Sequence, residues 1–351
     1  MRRRRFALII VAVVVLGLVA AGSAWLGRRS ALTQIAASDS RDVSAADAVD
    51  QPIAPPAAKS ERVRASAPRA PLPPQDTPLR LIQADLTARA RAGDAGAACR
   101  LAAELHRCEQ AQTSLRRFED YLENNERYLG AITDPAKREQ IRQQTGNNSV
   151  QAGERLLRNA ESCDGIAQVS LAERVGYWRQ AALAGNRGAL LQYASGNAFQ
   201  WRSVMDVLPQ LQVYRQEAET LALRAAANGD LRAVLALAAA YTPNEESRSR
   251  NMLAQSVQPD PARALALYRY AEAAMAASNQ ALPSSVRERL FDTPRKALDG
   301  LLQPGDSTRA DTLAAQWQRE WTAPAQPDRA RGGFIGPQGQ VAYIAPRDCG
   351  D

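Results

Sequence analysis

The stretch Gly185-Asn186-Arg187-Gly188-Ala189-Leu190-Leu191-Gln192-Tyr193-Ala194 has two echoes in the same chain. They are Gly93-Asp94-Ala95-Gly96-Ala97-Ala98-Cys99-Arg100-Leu101-Ala102 and Gly229-Asp230-Leu231-Arg232-Ala233-Val234-Leu235-Ala236-Leu237-Ala238. The shared phrase is Gly, then Asp or Asn, two free positions, Ala, three free positions, Leu or Tyr, and Ala. Gly ends a helix cheaply because it accepts positive φ. The next residue, Asp94, Asn186 or Asp230, offers a side-chain oxygen that caps the following helix. Ala three residues later (Ala97, Ala189, Ala233) lets two helix backbones approach closely. The Leu or Tyr four residues on lies on the same face. Each copy therefore predicts a joint between two helices, at Gly93, Gly185 and Gly229. Recurrence on this scale is the mark of a stacked helical array.

The spacing is uneven. Gly185 to Gly229 is 44 residues, which suits one helix pair with a moderate insertion. Gly93 to Gly185 is 92 residues, so a degenerate or inserted unit, an irregular stretch over residues 109–165, lies between them. Helix-like segments run into the joints. Val175-Gly176-Tyr177-Trp178-Arg179-Gln180-Ala181-Ala182-Leu183-Ala184 leads to Gly185, and Asp260-Pro261-Ala262-Arg263-Ala264-Leu265-Ala266-Leu267-Tyr268-Arg269-Tyr270-Ala271-Glu272-Ala273-Ala274 repeats its pattern.

Over residues 82–108 and 166–280 this chain resembles the Sel1-like repeat family, relatives of the tetratricopeptide repeats. That family's first helix reads Gly-Asp/Asn-x-x-Ala-x-x-x-Leu-Gly. The small residue after Leu is Ala here. The resemblance implies an all-α fold, an α/α solenoid of helix pairs, and a scaffold for other proteins rather than an enzyme. Solenoids present long concave surfaces that suit partner binding.

The amino terminus predicts the compartment. Met1-Arg2-Arg3-Arg4-Arg5 precedes an uncharged, mostly apolar run from Phe6 to Leu26. Twenty-one residues are enough to cross a bilayer as a helix. The arginines in front favour a cytoplasmic amino end, with the rest exported. Residues 1–31 thus read as an Arg cluster plus transmembrane signal anchor in a bacterial inner membrane, with the carboxyl-terminal domain periplasmic. The rival is a cleaved signal peptide with Gly22-Ser23-Ala24 as its small-residue site, which would give a secreted binding protein. The formal charge is +7, but residues 1–31 hold six arginines and no acid. Removing those six leaves about +1, so no nucleic-acid partner is expected. Arg116-Arg117 and Arg248-Ser249-Arg250 read as solvated helix faces.

Residues 32–77 contain Pro52, Pro55, Pro56, Pro68, Pro71, Pro73 and Pro74 and no Trp, Tyr or Phe. Such a composition cannot bury enough surface to repay ordering, so it reads as a disordered linker. As a flexible coil it would span about 40 Å. The helical repeat domain is expected over residues 78–323. Within it Leu115, Phe118, Leu122 and Leu129 share one helix face, between Ala111 and Gly130. Asp134-Pro135 opens a polar helix that is expected to fail at Gly146-Asn147-Asn148. Another helix is expected from Ser149 to about Ser162. Thr308 to Trp321 closes the domain, with Trp317 and Trp321 as a terminal cap. The Gly/Pro-rich tail, residues 324–351, allows a small hairpin around Pro337-Gln338-Gly339, an unstructured end, or an extended segment along the helices.

Four cysteines follow the anchor. An oxidising compartment would pair them. Cys99 occupies the place of Leu191 and Leu235 in the repeated phrase, so a buried apolar position is expected for it. Cys108 and Cys163 flank the irregular stretch and form the favoured disulfide, contributing roughly 3 kcal/mol. Cys349 would be free, or pair with Cys99 or another chain. No Cys-x-x-Cys or Cys/His cluster predicts a metal, and no cofactor motif is present. The single histidine, His106, reads as a polar residue near a helix end, and residues two apart on a helix cannot form a Cys–His dyad with Cys108. Glu161-Ser162 matches the Glu-Ser pair of lytic transglycosylases, but that family's Gly-Leu-Met-Gln is missing. A cell-wall-acting enzyme on a helical scaffold is the alternative function. A buried carboxylate with a raised pKa in a deep cleft would mark it.

Overall fold

The computed structural model describes residues 70–277, 283–324 and 340–350, with the side chains of residues 147, 246 and 247 left aside. They fall within one unit, residues 66–351. The described fold is all-α. Its helices are α1 (Leu79–Arg91), α2 (Ala95–Ala131), α3 (Pro135–Glu161), α4 (Leu171–Leu183), α5 (Arg187–Ala194), α6 (Leu208–Ala227), α7 (Leu231–Tyr241) and α8 (Glu245–Ser249). Then come α9 (Pro261–Ala277), α10 (Ser284–Arg287), a π-helical turn (Glu288–Asp292), α11 (Thr293–Asp299) and α12 (Asp306–Glu320). No described residue is in a β-strand. Among the described helices none is long and apolar enough to cross a membrane. Residues 6–26 and most of the 32–77 linker lie outside the described residues.

The three joints share one hydrogen-bond plan. Gly93, Gly185 and Gly229 have φ of +92°, +90° and +84°. The glycine N–H donates to Ala90 O, Ala182 O and Ala226 O, at 2.9, 3.1 and 2.9 Å. The next N–H, of Asp94, Asn186 or Asp230, reaches back to Arg89 O, Ala181 O or Ala225 O at 3.0, 3.0 and 3.2 Å. These paired bonds close a Schellman motif three times and satisfy carbonyls that a helix end leaves orphaned. The same Asp or Asn then caps the next helix. Asp94 Oδ1 accepts from Ala97 N at 3.1 Å and Asn186 Oδ1 from Ala189 N at 2.9 Å. Asp230 Oδ1 accepts from Arg232 N, one residue earlier. Ala97, Ala189 and Ala233 are all buried.

Packing is mostly between neighbours in sequence. α1 packs on α2, α2 on α4, α4 on α5, α5 on α6, α6 on α7, α7 on α9, and α9 on α12. Trp178, Tyr193, Phe199, Tyr214, Tyr241 and Leu267 belong to the main core. A smaller core of Leu79, Ile82, Leu86, Leu101, Leu105 and the Cys108–Cys163 disulfide lies under α1. Trp317 and Trp321 stack 4.8 Å apart, and Trp321 meets Tyr270 of α9 edge-on.

The stretch 109–161 departs from expectation. α2 does not end near Cys108 but continues to Ala131. Gly146-Asn147-Asn148 does not break α3, which runs unbroken from Pro135 to Glu161. The two helices pack together as a hairpin. Gly153 is buried, and a Cβ there would stand 2.9 Å from Phe118 Cε1. A glycine inside a helix costs about 1 kcal/mol relative to Ala, which packing against a neighbouring helix can offset. Residues 109–165 are thus largely regular helix, and Gly146-Asn147-Asn148 lies inside it.

Candidate functional site

The carboxyl-terminal segment, residues 340–350, lies against the N-terminal half of α2 and against α5. It carries no strand and ends in a 3-10 turn, Pro346–Cys349. Its order is opposite to that of both helices. Asn197 Nδ2 donates to Val341 O at 2.7 Å. Ile344 N donates to Gln192 Oε1 at 2.9 Å. Asn186 Nδ2 donates to Cys349 O at 3.1 Å. On α2, Tyr343 stacks on His106 with ring centres 4.3 Å apart, and Cys349 is disulfide-bonded to Cys99 with Cα atoms 5.5 Å apart. Three side-chain amides therefore read the backbone of an extended segment, while Val341, Ile344 and Cys349 are buried in the main core. Of the tail conformations the sequence allows, residues 340–350 take the extended one along the helices; residues 325–339 lie outside the described residues.

The joints shape this seat. Gly188, a free position of the phrase, lets the segment approach: a Cβ there would stand 2.6 Å from Asp348 O and 3.1 Å from Ile344 Cγ2. At Gly96 the corresponding Cβ would meet Cys349 O and Leu72 Cδ1, at 3.5 and 3.6 Å. The chain beyond α12 touches the third joint as well, where Thr322 N donates to Ala227 O and a Cβ at Gly229 would meet Ala323 O at 3.0 Å. Backbone after α12 thus lies at the third joint, and the segment 340–350 at the second and first.

The other end of the domain reaches the same place. Arg89 donates to Pro71 O at 3.1 Å and Ala70 O at 2.7 Å, and Arg100 to Gln75 O at 3.1 Å. Arg100 is fully buried and paired with the buried Glu104 at 2.8 Å. Residues 70–77, the end of the stretch read as a disordered linker, are instead laid on α1 and α2. A cavity of about 290 Å³ between the two ends is lined by Pro71, Leu72, Arg89, Asp94, Asn186 and Cys349, among others.

Charge is settled locally. Burial raises the Asp94 pKa, but hydrogen bonds from Arg89 and the Ala97 N–H outweigh it and hold the carboxylate below its ordinary value. Burial disfavours the charge on Arg232, yet Asp230 and, further off, Asp348 raise its pKa. His106 is not a helix-end residue. It sits inside α2, buried, with Gln110 at 2.8 Å. Burial and the nearby Arg174 charge push its pKa down to about 4, against a smaller upward pull from Glu109. It is therefore a neutral ring at pH 7. Cys108 is spent in the disulfide to Cys163, Cα atoms 5.4 Å apart, so no thiol stands beside that ring. No described group of three His, Cys, Asp or Glu could hold a metal.

The phrase named Asn186 and Gly185 but passed over Gln192, Asn197, Gly188, His106 and Arg100. Gln192 and Arg100 share one position of the phrase, seven after its Gly. Each is a polar residue between apolar neighbours on a buried helix, and each reaches out to non-helical backbone. That mismatch of polarity and position was the available signal. Arg248, read as solvated, instead donates to Val257 O at 3.2 Å. The chain matches no family model, no curated protein and no solved structure.

Proposed function

We propose that this chain is a membrane-anchored scaffold whose helical-repeat domain, an α/α solenoid of Sel1-like pairs, binds extended segments of other proteins along its row of joints. The observation that carries this reading is the seat between α2 and α5. It holds an extended peptide through Asn186, Gln192 and Asn197 and buries two β-branched side chains three residues apart. Backbone contacts give grip without demanding sequence, and sockets for particular side chains give selectivity, as in other modes of peptide recognition. The Arg2–Arg5 cluster and the apolar run 6–26 support anchoring in a bacterial inner membrane with a cytoplasmic amino end. Two disulfides suit a periplasmic domain. The anchor would raise local concentration, and the linker would set reach.

The test is a peptide array probed with the chain lacking residues 332–351. It should select peptides with Val or Ile at positions i and i+3, and Gln192→Ala should weaken binding of all of them alike. Equal, unselective binding by the truncated and full chains would overturn the reading. A periplasm-dependent reporter fused after Asp351 should be active; cytoplasmic activity would remove the placement.

A further inference from the structure

The geometry points to residues 340–350 being a removable, disulfide-latched occupant of the peptide seat. Reduction of Cys99–Cys349 opens the seat to an extended peptide with two β-branched anchors three residues apart. This rests on the peptide-binding reading above and adds its control.

Three features separate the segment from ordinary core. It contributes no α-helix and no strand; a 3-10 turn is its only regular element. Its described hydrogen bonds to the helices come from side-chain amides, which any extended backbone of the same register could engage. The segment's backbone comes so near α5 at Gly188 that an added Cβ would stand 2.6 Å from Asp348 O, so a side chain there would close the groove. The latch itself is placed at one end, on the last turn of the segment, and joins residues 250 apart in sequence. The second disulfide, Cys108–Cys163, is built differently. It ties α2 to the end of α3 inside the smaller core, so opening it frees no part of the seat.

The chemistry closes with a dithiol as reductant. One thiolate of the dithiol attacks Cys349 Sγ, and Cys99 leaves as a thiolate. The second thiol of the dithiol then attacks the mixed disulfide and releases Cys349. Two electrons pass to the cysteine pair, the dithiol becomes a disulfide, and its two protons end on Cys99 and Cys349. Both sulfurs are buried, so attack follows lifting of the 3-10 turn, Pro346–Cys349, and not separation of the helices. Once unlatched, the segment remains a competitor in the same chain at an effective concentration of roughly millimolar. A partner peptide must therefore bind well enough to displace it.

The experiment uses the full chain and a fluorescent peptide with the sequence of residues 340–350, Cys349 replaced by Ser. Oxidised wild type should exclude the peptide. Cys349→Ser should bind it at least about tenfold better, with residual competition from its own tail. The chain lacking residues 332–351 should bind it best, and a peptide with Asp in place of Val341 and Ile344 should not bind. If the truncated chain binds but Cys349→Ser behaves as oxidised wild type, the latch is refuted and the seat stands. If the truncated chain, folded by circular dichroism, does not bind, the seat itself is refuted. A second route avoids variants altogether. Wild type is titrated with a dithiol, and alkylation mapped by mass spectrometry. Peptide binding should rise with alkylation of Cys349; a rise that tracks Cys163 instead would overturn the proposal.

Discussion

The row of joints and the helical hairpin are made from one helix, α2, used in two ways. From Ala95 to Cys108 nearly every side chain is buried, including Arg100, Glu104 and His106. From Glu109 to Ala131 only Ala111 and Leu129 are. The first half is mostly small and apolar, and its buried Arg100 is paired with Glu104, so it can be covered on several sides by α1, α4 and the carboxyl-terminal segment. The second half keeps apolar residues on one side, at Leu115, Phe118, Leu122 and Leu129, and meets chiefly α3. Cys108 stands where the regime changes, and its disulfide fastens the returning chain at that point. Stability of the array is therefore collective, whereas the hairpin depends on one partner helix and one covalent tie.

Truncating one aromatic in each region tests this most directly. Trp178 is almost fully buried in the main core. Trp178→Ala should cost about 3–5 kcal/mol in a denaturant titration. Phe118 is half-exposed and packs over Gly153, so Phe118→Ala should cost only about 1 kcal/mol. Equal losses would break the distinction.

The covalent tie comes next. A loop of the span closed by Cys108–Cys163 restricts the unfolded chain by up to about 4 kcal/mol. In Cys163→Ser the loss should appear first as local opening. Amide hydrogen exchange should accelerate through residues 109–161 while α5 and α7 keep their protection. Uniform acceleration would mean that the hairpin and the array open as one unit.

What the sequence made legible follows the same division. The all-α class and the joints at Gly93, Gly185 and Gly229 were readable because glycine, cap and alanine act locally, within a few residues of one another. The hairpin was misjudged at Gly146-Asn147-Asn148 and near Cys108, since breakers were weighed locally, whereas α2 and α3 each run on and pack together as whole helices. The seat was the least legible part. Its pieces, Asn186, Gln192 and Asn197 on one side and Val341, Ile344 and Cys349 on the other, are about 150 residues apart. Only the buried polar positions Arg100 and Gln192 signalled it, as polar side chains inside an apolar stripe need a partner. The Arg–Glu pair Arg179–Glu217, which also takes the Tyr193 hydroxyl at 2.7 Å, was invisible for the same reason.

Acid should act on the array rather than the hairpin. His106 has a folded pKa near 4, below the ordinary 6.5, because burial and Arg174 disfavour its charge. Its contribution is therefore full above about pH 6.5 and is lost as pH falls through that window toward 4. The loss should be roughly 2–3 kcal/mol between pH 7 and pH 4. Arg174, Glu109 and Tyr343 are the charged or titratable groups around it. His106→Gln should flatten the stability profile over this range; an unchanged profile would assign the acid sensitivity elsewhere.

Two helical glycines, Gly153 inside α3 and Gly188 in the first turn of α5, give the smallest and finest contrast. At Gly153 in the hairpin, an added Cβ would meet the far edge of the Phe118 ring, which can tilt outward. Gly153→Ala also gains about 1 kcal/mol of helix propensity, so its net effect should lie within about 1 kcal/mol of zero. In the Phe118→Ala background the clash is gone, and the same change should stabilise by about 0.5–1 kcal/mol. At Gly188 in the array, the neighbour is the Asp348 carbonyl, 2.6 Å away and fixed by the backbone. Gly188→Ala, in the first turn, gains less helix propensity and cannot keep the segment seated. It should leave the helices folded by circular dichroism while raising the fraction of Cys349 open to alkylation. If Gly188→Ala keeps Cys349 fully disulfide-bonded, the close approach at that joint is not what holds the segment in register.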